Sequence, residues 1–359
     1  MNRTIRTAGK YLRGILLGLM SLLCAVTPTA AVPCAATAEP AYIKWMSFDV
    51  PYSALSKSMQ IDIRSHTAGQ PVNWVELLAY LGTRYGGNWK KYRAKDMDAL
   101  VSKLKAGQTM AELTAGMKNY AYYYETTDAV LGNFVGEYRV GMPSEGVPSG
   151  SVADAGGTRV EYGLKSFSPI ARGYSYCHYD DFGDSRSFGF RRPHLGNDLM
   201  GSVGTPIVAV EGGTVESLGW NRYGGWRVGI RSFDRRRYYY YAHLRKGHPY
   251  AKGLTQGQTV HTGDVIGYLG MTGYSNKENV NNMQKPHLHF GMQIIFDESQ
   301  KEGNHEIWID VYDIVDLLAS HRMKVVRDNS TKDYFSAYPF TDLRYPDAAE
   351  SSFGNSAND

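Results

Sequence analysis

Three short patterns in this sequence bring together side chains that could do chemistry, and all three are built on histidine. The first is His194-Leu195-Gly196-Asn197-Asp198, an imidazole and a carboxylate at i and i+4. On a helix such a pair would share a face, but Gly196, Gly201 and Gly204 argue for a loop. The second is His287-Leu288-His289-Phe290, opening a β-prone run. Side chains at i and i+2 of a strand point to one face, so both imidazoles share a side while Leu288 and Phe290 turn to the core. The third is His243, directly after the run Tyr238 to Ala242. Zinc binds neutral imidazole and carboxylate, and a catalytic site keeps three protein ligands with a fourth position for water. Three of these five side chains would serve as ligands, leaving two imidazoles for proton transfer. Each pattern taken alone is a weak signal, since a single histidine is more often a surface or packed residue.

The elements that must position these residues have the texture of short strands joined by glycine turns. Ile207-Val208-Ala209-Val210, then Gly212-Gly213, then Thr214-Val215-Glu216 reads as a hairpin. Trp226 to Arg231 alternates, Val265 to Leu269 lies between Gly263 and Gly270, and His287 to Ile295 is a further strand. The expectation is an all-β antiparallel domain over residues 159–326, closed by an amphipathic helix with Val311, Ile314, Val315 and Leu318 in phase. Residues 327–359 read as a polar tail.

Ahead of that domain the signals are helical. Asn73-Trp74-Val75-Glu76 and Thr109-Met110-Ala111-Glu112 both resemble capping boxes. Trp74, Leu77, Leu78 and Leu81 fall on one face of the first helix, which Gly86-Gly87 stops, and Asp96 is a candidate cap for another. Residues 39–140 therefore read as a small helical accessory domain, and residues 141–158, rich in glycine, serine and proline, as a linker. The fold class expected is α+β, with a helical N-terminal domain followed by the β domain and its C-terminal helix.

Residues 1–38 read as a secretory signal peptide: Arg3, Arg6, Lys10 and Arg13, an apolar run from Ile15 to Val26, then Ala36-Thr37-Ala38 as a cleavage site. The alternative is an uncleaved membrane anchor. Those four cations account for the whole formal net charge of +4, so the remainder is neutral and offers no case for nucleic acid as a partner. Cys24 and Cys34 lie in the leader, which leaves Cys177 as a single thiol and excludes an internal disulfide from a secreted or cell-envelope chain.

Taken jointly, His194-x-x-x-Asp198, His243 in Tyr-Ala-His-Leu, and His287-x-His289 resemble the lysostaphin-type (LytM-type) peptidoglycan endopeptidases. The glycine framework is similar too, in Pro206 to Val215 and in Gly257, Val260, Gly263 to Gly267 and Gly270 to Gly273. The resemblance covers about residues 185–295. It implies one zinc ion per chain held by His194, Asp198 and His289, with His243 and His287 as the catalytic histidines. It implies an exported endopeptidase acting on stem or cross-bridge peptides of the bacterial wall. Two other roles are compatible with such a chain: a scaffold without activity, and an enzyme held latent by the linker or the helical domain, which could also supply a surface for a protein partner.

The remaining candidates have blander readings. His248, His261, His305 and His321 read as structural or surface residues, and Asp180, Asp181 and Asp184 as a solvated turn. Cys177-His178 lacks the helix N-terminus that would activate a thiol. The tyrosines at 120 and 122–124 read as packing that could equally line a glycan groove. The ladder Tyr238 to Tyr241 with Arg245 is near enough in sequence to His243 to help line a peptide groove.

Overall fold

A computed structural model describes residues 42–141, 157–303 and 305–346. The leader reading, most of the 141–158 linker and the end of the tail fall outside the described residues. Among the described residues no helix is long and apolar enough to cross a membrane.

The helical part comprises Tyr52–Thr67, Trp74–Tyr85, Ala94–Lys105, Met110–Thr114 and Tyr120–Leu131. Trp74, Leu77, Leu78 and Leu81 are buried together, as their helical phase requires. The chain leaves that helix through Gly86 at φ 62°, a left-handed turn that costs glycine nothing. Thr109 and Glu112 make a reciprocal capping box, whereas Asn73 caps Val75 without a returning carboxylate. Asp96 is not the cap expected of it. Its helix begins at Ala94, and the carboxylate accepts the Tyr85 hydroxyl at 2.8 Å from inside the first turn.

Eight antiparallel strands form the main sheet. Its order runs Thr259–Val260, Gly213–Asn221, Gly225–Ser232, Arg237–Ala242, His287–Ile294, Asn197–Met200 and Cys177–His178, with Ile307–Ile309 paired to the far end of His287–Ile294. One face is apolar: Val215, Val228, Ile230, Tyr239, Tyr241, Leu288, Phe290 and Met292 are fully buried beneath it. The short helix Tyr312–Leu318 follows, with Ile314, Val315, Leu317 and Leu318 buried.

One expected pairing is corrected. The stretch around Gly212-Gly213 is a crossing between sheets, not a hairpin turn. Pro206–Val208 pairs with Val265–Tyr268, while Gly213–Asn221 pairs with Gly225–Ser232. The glycines are there for close approach: a Cβ on Gly213 would lie 2.0 Å from the Arg231 carbonyl oxygen. The C-terminal residues also contribute more than a tail, forming Tyr334–Ser336 and Phe340–Asp342. Phe340 and Ala337 are buried, so the polar composition around them hid two residues that pack.

Residues from Tyr42 onward form one unit, and buried polar groups tie its two halves together. Val135–Gly141 pairs on one side with Thr158–Leu164 and on the other with Phe340–Asp342. Beneath this small sheet, Lys165 Nζ donates to Asp342 (2.7 Å) and to Asn133 (2.9 Å), and Asn133 donates to Glu211 and Asp342 (both 2.8 Å). Arg237, fully buried, donates to Glu211, to Asp234 and to the carbonyl of Ala129 in the last helix of the helical part. Each buried charge here has a partner of opposite sign, as desolvated ions require.

Candidate active site

Strand register brings the three sequence patterns into one place. In the strand His287–Ile294, His289 sits opposite Asp198 on one side and opposite Ala242 on the other. Leu288 and Phe290 turn into the core, so the two histidines of the pair face outward together. His243 comes directly after Ala242, at φ 61°, a left-handed conformation costly for a residue with a Cβ. Its N–H donates to Gly224 O at 2.7 Å, which holds the bend that turns its ring toward His287, 4.7 Å away between centroids. His194 arrives from a loop, as Gly196 suggested. A Cβ on Gly196 would lie 2.5 Å from the Phe290 carbonyl oxygen and 2.9 Å from the His289 ring.

Three atoms converge. Nε2 of His194 lies 2.7 Å from Nδ1 of His289 and 3.1 Å from Oδ1 of Asp198, and the last two are 3.4 Å apart. Oδ1 of Asp198 is buried without a hydrogen-bond partner. Two imidazole nitrogens and a carboxylate oxygen crowded this closely, with the oxygen unsatisfied, fit a divalent cation of the zinc type. Burial alone would raise the Asp198 carboxyl, but His194 and His289 hold it far below the ordinary carboxylate range. Burial pushes His194 down, yet Asp181 and Asp198 outweigh it and raise it to about 9. A metal entering the site would have to displace that proton.

The other two histidines are fixed from behind. Nδ1 of His243 lies 2.7 Å from Thr272 O, and Nδ1 of His287 lies 2.8 Å from Lys285 O. A carbonyl can only accept, so in each ring Nδ1 carries the hydrogen and the neutral form presents a bare Nε2. Burial, with the neighbouring His287 and His289, holds His243 well below its ordinary value.

Asp181 read as part of a solvated turn, and Arg186 was not singled out by the sequence. Asp180 and Asp184 are exposed, as a solvated turn requires, but Asp181 turns in toward the site. Asp181 is buried, accepts the Asp198 N–H at 3.1 Å, and is paired with Arg186 at 2.5 Å. Arg186 also reaches Asp198 Oδ2 at 3.2 Å. The signal available was an acidic residue and an arginine just ahead of a candidate ligand pair, where an orienting shell belongs.

Of the tyrosine ladder, Tyr239 and Tyr241 are core residues and Tyr240 meets the His289 ring edge-on at 5.7 Å. His248 pairs with Asp333, His321 stacks on Phe167, and His305 is exposed. Cys177 is exposed, and His178 bonds the Tyr312 carbonyl. A cavity of about 910 Å³ lies between the helices near Ile61, Leu104 and Met110, and none of the five candidate side chains lines it.

Comparison with known proteins points to the same stretch. Residues 192–303 match Peptidase family M23. Over 124 residues the chain is 44% identical to an L-Ala--D-Glu endopeptidase of Bacillus subtilis (strain 168), covering 34% of this chain and 36% of that protein. It is 35% identical over 98 residues to lysostaphin of Staphylococcus simulans, covering 27% of this chain and 17% of that one. The matches thus span about a third or less of these relatives' own lengths. Among solved structures, a chain assigned as lytM from Ruminococcus gnavus ATCC 29149 is 22% identical, covering 76% of this chain and 90% of its own, with a TM-score of 0.48. The catalytic domain of lysostaphin from Staphylococcus simulans is 31% identical, covering 34% and 85%, with a TM-score of 0.28.

Proposed function

We propose, from the premise that residues 192–303 are a peptidase family M23 domain, that the chain is an exported zinc-dependent endopeptidase acting on peptide bonds of bacterial peptidoglycan. The observation that carries this reading is the convergence of His194 Nε2, Asp198 Oδ1 and His289 Nδ1 beside two further histidines with bare Nε2 atoms. Support for the substrate comes from relatives named for cutting L-Ala–D-Glu and glycyl-glycine bonds. Support for export is the sequence of residues 1–38, which reads as a secretory signal peptide.

In this reading His194, Asp198 and His289 hold one zinc ion. When bound, zinc supplies Lewis acidity that polarises the scissile carbonyl and acidifies the attacking water. The chain's own groups do the rest. Asp181 keeps His194 turned with Nε2 inward. His243 and His287, each locked by a backbone carbonyl, stand beside the three candidate ligands with Nε2 left to take a proton. One accepts the proton of the nucleophile and returns it to the leaving amine, while the other, carrying a proton taken up from solvent at Nε2, donates to the oxyanion and keeps that proton when the carbonyl re-forms.

The test is mass spectrometry of fragments released from purified peptidoglycan, with and without a zinc chelator. New peptide termini that vanish on chelation support the reading and name the bond. An intact wall in both arms, with zinc bound stoichiometrically, defeats it.

A further inference from the structure

The hairpin that leads into His194 carries two arginines directly opposite each other, Arg186 in Ser185–Ser187 and Arg192 in Arg191–Pro193. Like charges facing across a strand pair repel. Arg186 is neutralised by Asp181 and Asp198, with Asp184 at 3.9 Å. Among the described residues no carboxylate neutralises Arg192.

Arg192 is nevertheless held in place. Its guanidinium carbon lies 4.7 Å from the centre of the Tyr223 ring and 5.2 Å from that of Tyr274, and Nη2 donates to the Tyr274 hydroxyl at 3.2 Å. Its Nη1 is buried with no partner. A second guanidinium, Arg222, lies 4.6 Å from the same Tyr223 ring and also has no carboxylate partner among the described residues. Two cations sharing one aromatic ring, with no counter-charge, make a positive patch on a partly desolvated surface. Phe188 stacks on Tyr274, and Phe190, half exposed, stands edge-on to Tyr223.

This wall adjoins the histidines. The Tyr274 ring is 6.2 Å from that of His243, and a Cβ on Gly273 would lie 2.9 Å from His243 Nδ1. Tyr274 itself sits at φ 46°, a strained conformation held by its N–H bond to Tyr223 O and by Asn282, which donates to its carbonyl. Strain kept at the edge of a catalytic site, around an arginine with no ionic partner, marks a surface built for a ligand rather than for packing.

We propose that Arg192, set against Tyr223 and Tyr274, is a carboxylate-recognising subsite. It selects peptide bonds with an acidic residue next to the cut over uncharged glycine bridges. The proposal rests on the endopeptidase reading above and narrows its substrate class. A carboxylate suits the site because it returns a counter-charge to a guanidinium and accepts from its N–H groups, whereas a glycine bridge offers neither. The Tyr223 and Tyr274 rings, 4.7 and 5.2 Å from the guanidinium carbon, hold the head group in position.

The experiment compares three peptides with blocked C-termini: one with an L-Ala–D-Glu bond and a free glutamyl carboxylate, its amide, and pentaglycine. The expected kcat/KM for the acid exceeds that for the amide and for pentaglycine by at least about tenfold. Arg192→Gln should bring the acid-to-amide ratio to about one, and Arg192→Lys should leave it between the two. Equal cleavage of acid and amide by the unaltered protein, preference for pentaglycine, or an unchanged ratio in Arg192→Gln each overturn the subsite while leaving the endopeptidase reading standing. No cleavage of any peptide or of whole peptidoglycan overturns both. Should Arg192→Gln fail to fold, the acid-to-amide ratio of the unaltered protein and of Arg192→Lys decides.

Discussion

Asp181 stands behind His194: its main-chain oxygen is 3.0 Å, and its carboxylate Oδ2 3.3 Å, from His194 Nδ1. Both are acceptors, so they hold the hydrogen on Nδ1 and leave Nε2 facing Asp198 and His289. The same carboxylate receives the Asp198 N–H, so one side chain orients two candidate ligands.

Loss of that orientation should weaken the metal more than the fold. Asp181→Ala is expected to lower zinc affinity by about 10- to 100-fold, read by competition with a chelator of known affinity. Circular dichroism should be unchanged. An unaltered zinc affinity would show that the carboxylate serves only Arg186.

The two histidine classes should separate by metal content. His289→Ala should lose stoichiometric zinc and activity together. His243→Ala should keep its zinc and lose turnover by about 10²- to 10⁴-fold. Elemental analysis of both variants checks this, and zinc lost equally from both would mean that His243 belongs among the ligands.

Glu211 receives both Arg237 and the Tyr239 hydroxyl in a site without solvent. Removing it leaves the buried guanidinium with Asp234 as its remaining carboxylate and the Tyr239 hydroxyl without its acceptor. Glu211→Ala should cost about 3–5 kcal/mol in urea unfolding, far more than a surface glutamate.

The same network implies that the β part does not stand alone. A fragment beginning at Gly157 lacks the strand Val135–Gly141, which pairs with two others, and the Ala129 carbonyl and Asn133 side chain that satisfy buried charges. It should unfold at markedly lower urea than the full chain, or aggregate. A fragment as stable and as active as the full chain would mean that the helical part contributes nothing to the fold.

His321 supplies a pH dependence. Burial lowers its pKa, and the hydrogen bond from Nδ1 to Ser166 O only partly opposes this. The unfolded chain therefore binds a proton here at higher pH than the folded one does. The associated stability is complete above the unfolded value of about 6.5 and is lost as pH falls below it. His321→Gln should show a shallower fall in Tm below about pH 6.5 than the unaltered protein, and parallel profiles would exclude this residue as a source of acid sensitivity.

The sequence by itself singled out His194, Asp198, His243, His287 and His289 as the candidates that the fold then brings together, because ligand chemistry restricts residue type and strand period restricts spacing. His287 and His289 on one face, with Leu288 and Phe290 beneath, follow from a period of two whatever the rest of the chain does. Helix faces such as Trp74, Leu77, Leu78 and Leu81 were legible for the same reason, since local periodicity survives into the fold. What only the tertiary structure decided depends on contacts far apart in the chain. Asp181 looked solvated until Arg186 and His194 closed on it. Gly212-Gly213 looked like a turn until the neighbouring strands chose other partners. Lys165, Glu211 and Arg237 carry no sequence sign of burial, because a charge is accommodated in a core only by partners that the fold brings to it. Arg192 is the converse case. That it has no carboxylate partner among the described residues becomes visible only once the neighbouring side chains have been placed, and that unmet charge is what the proposed subsite rests on.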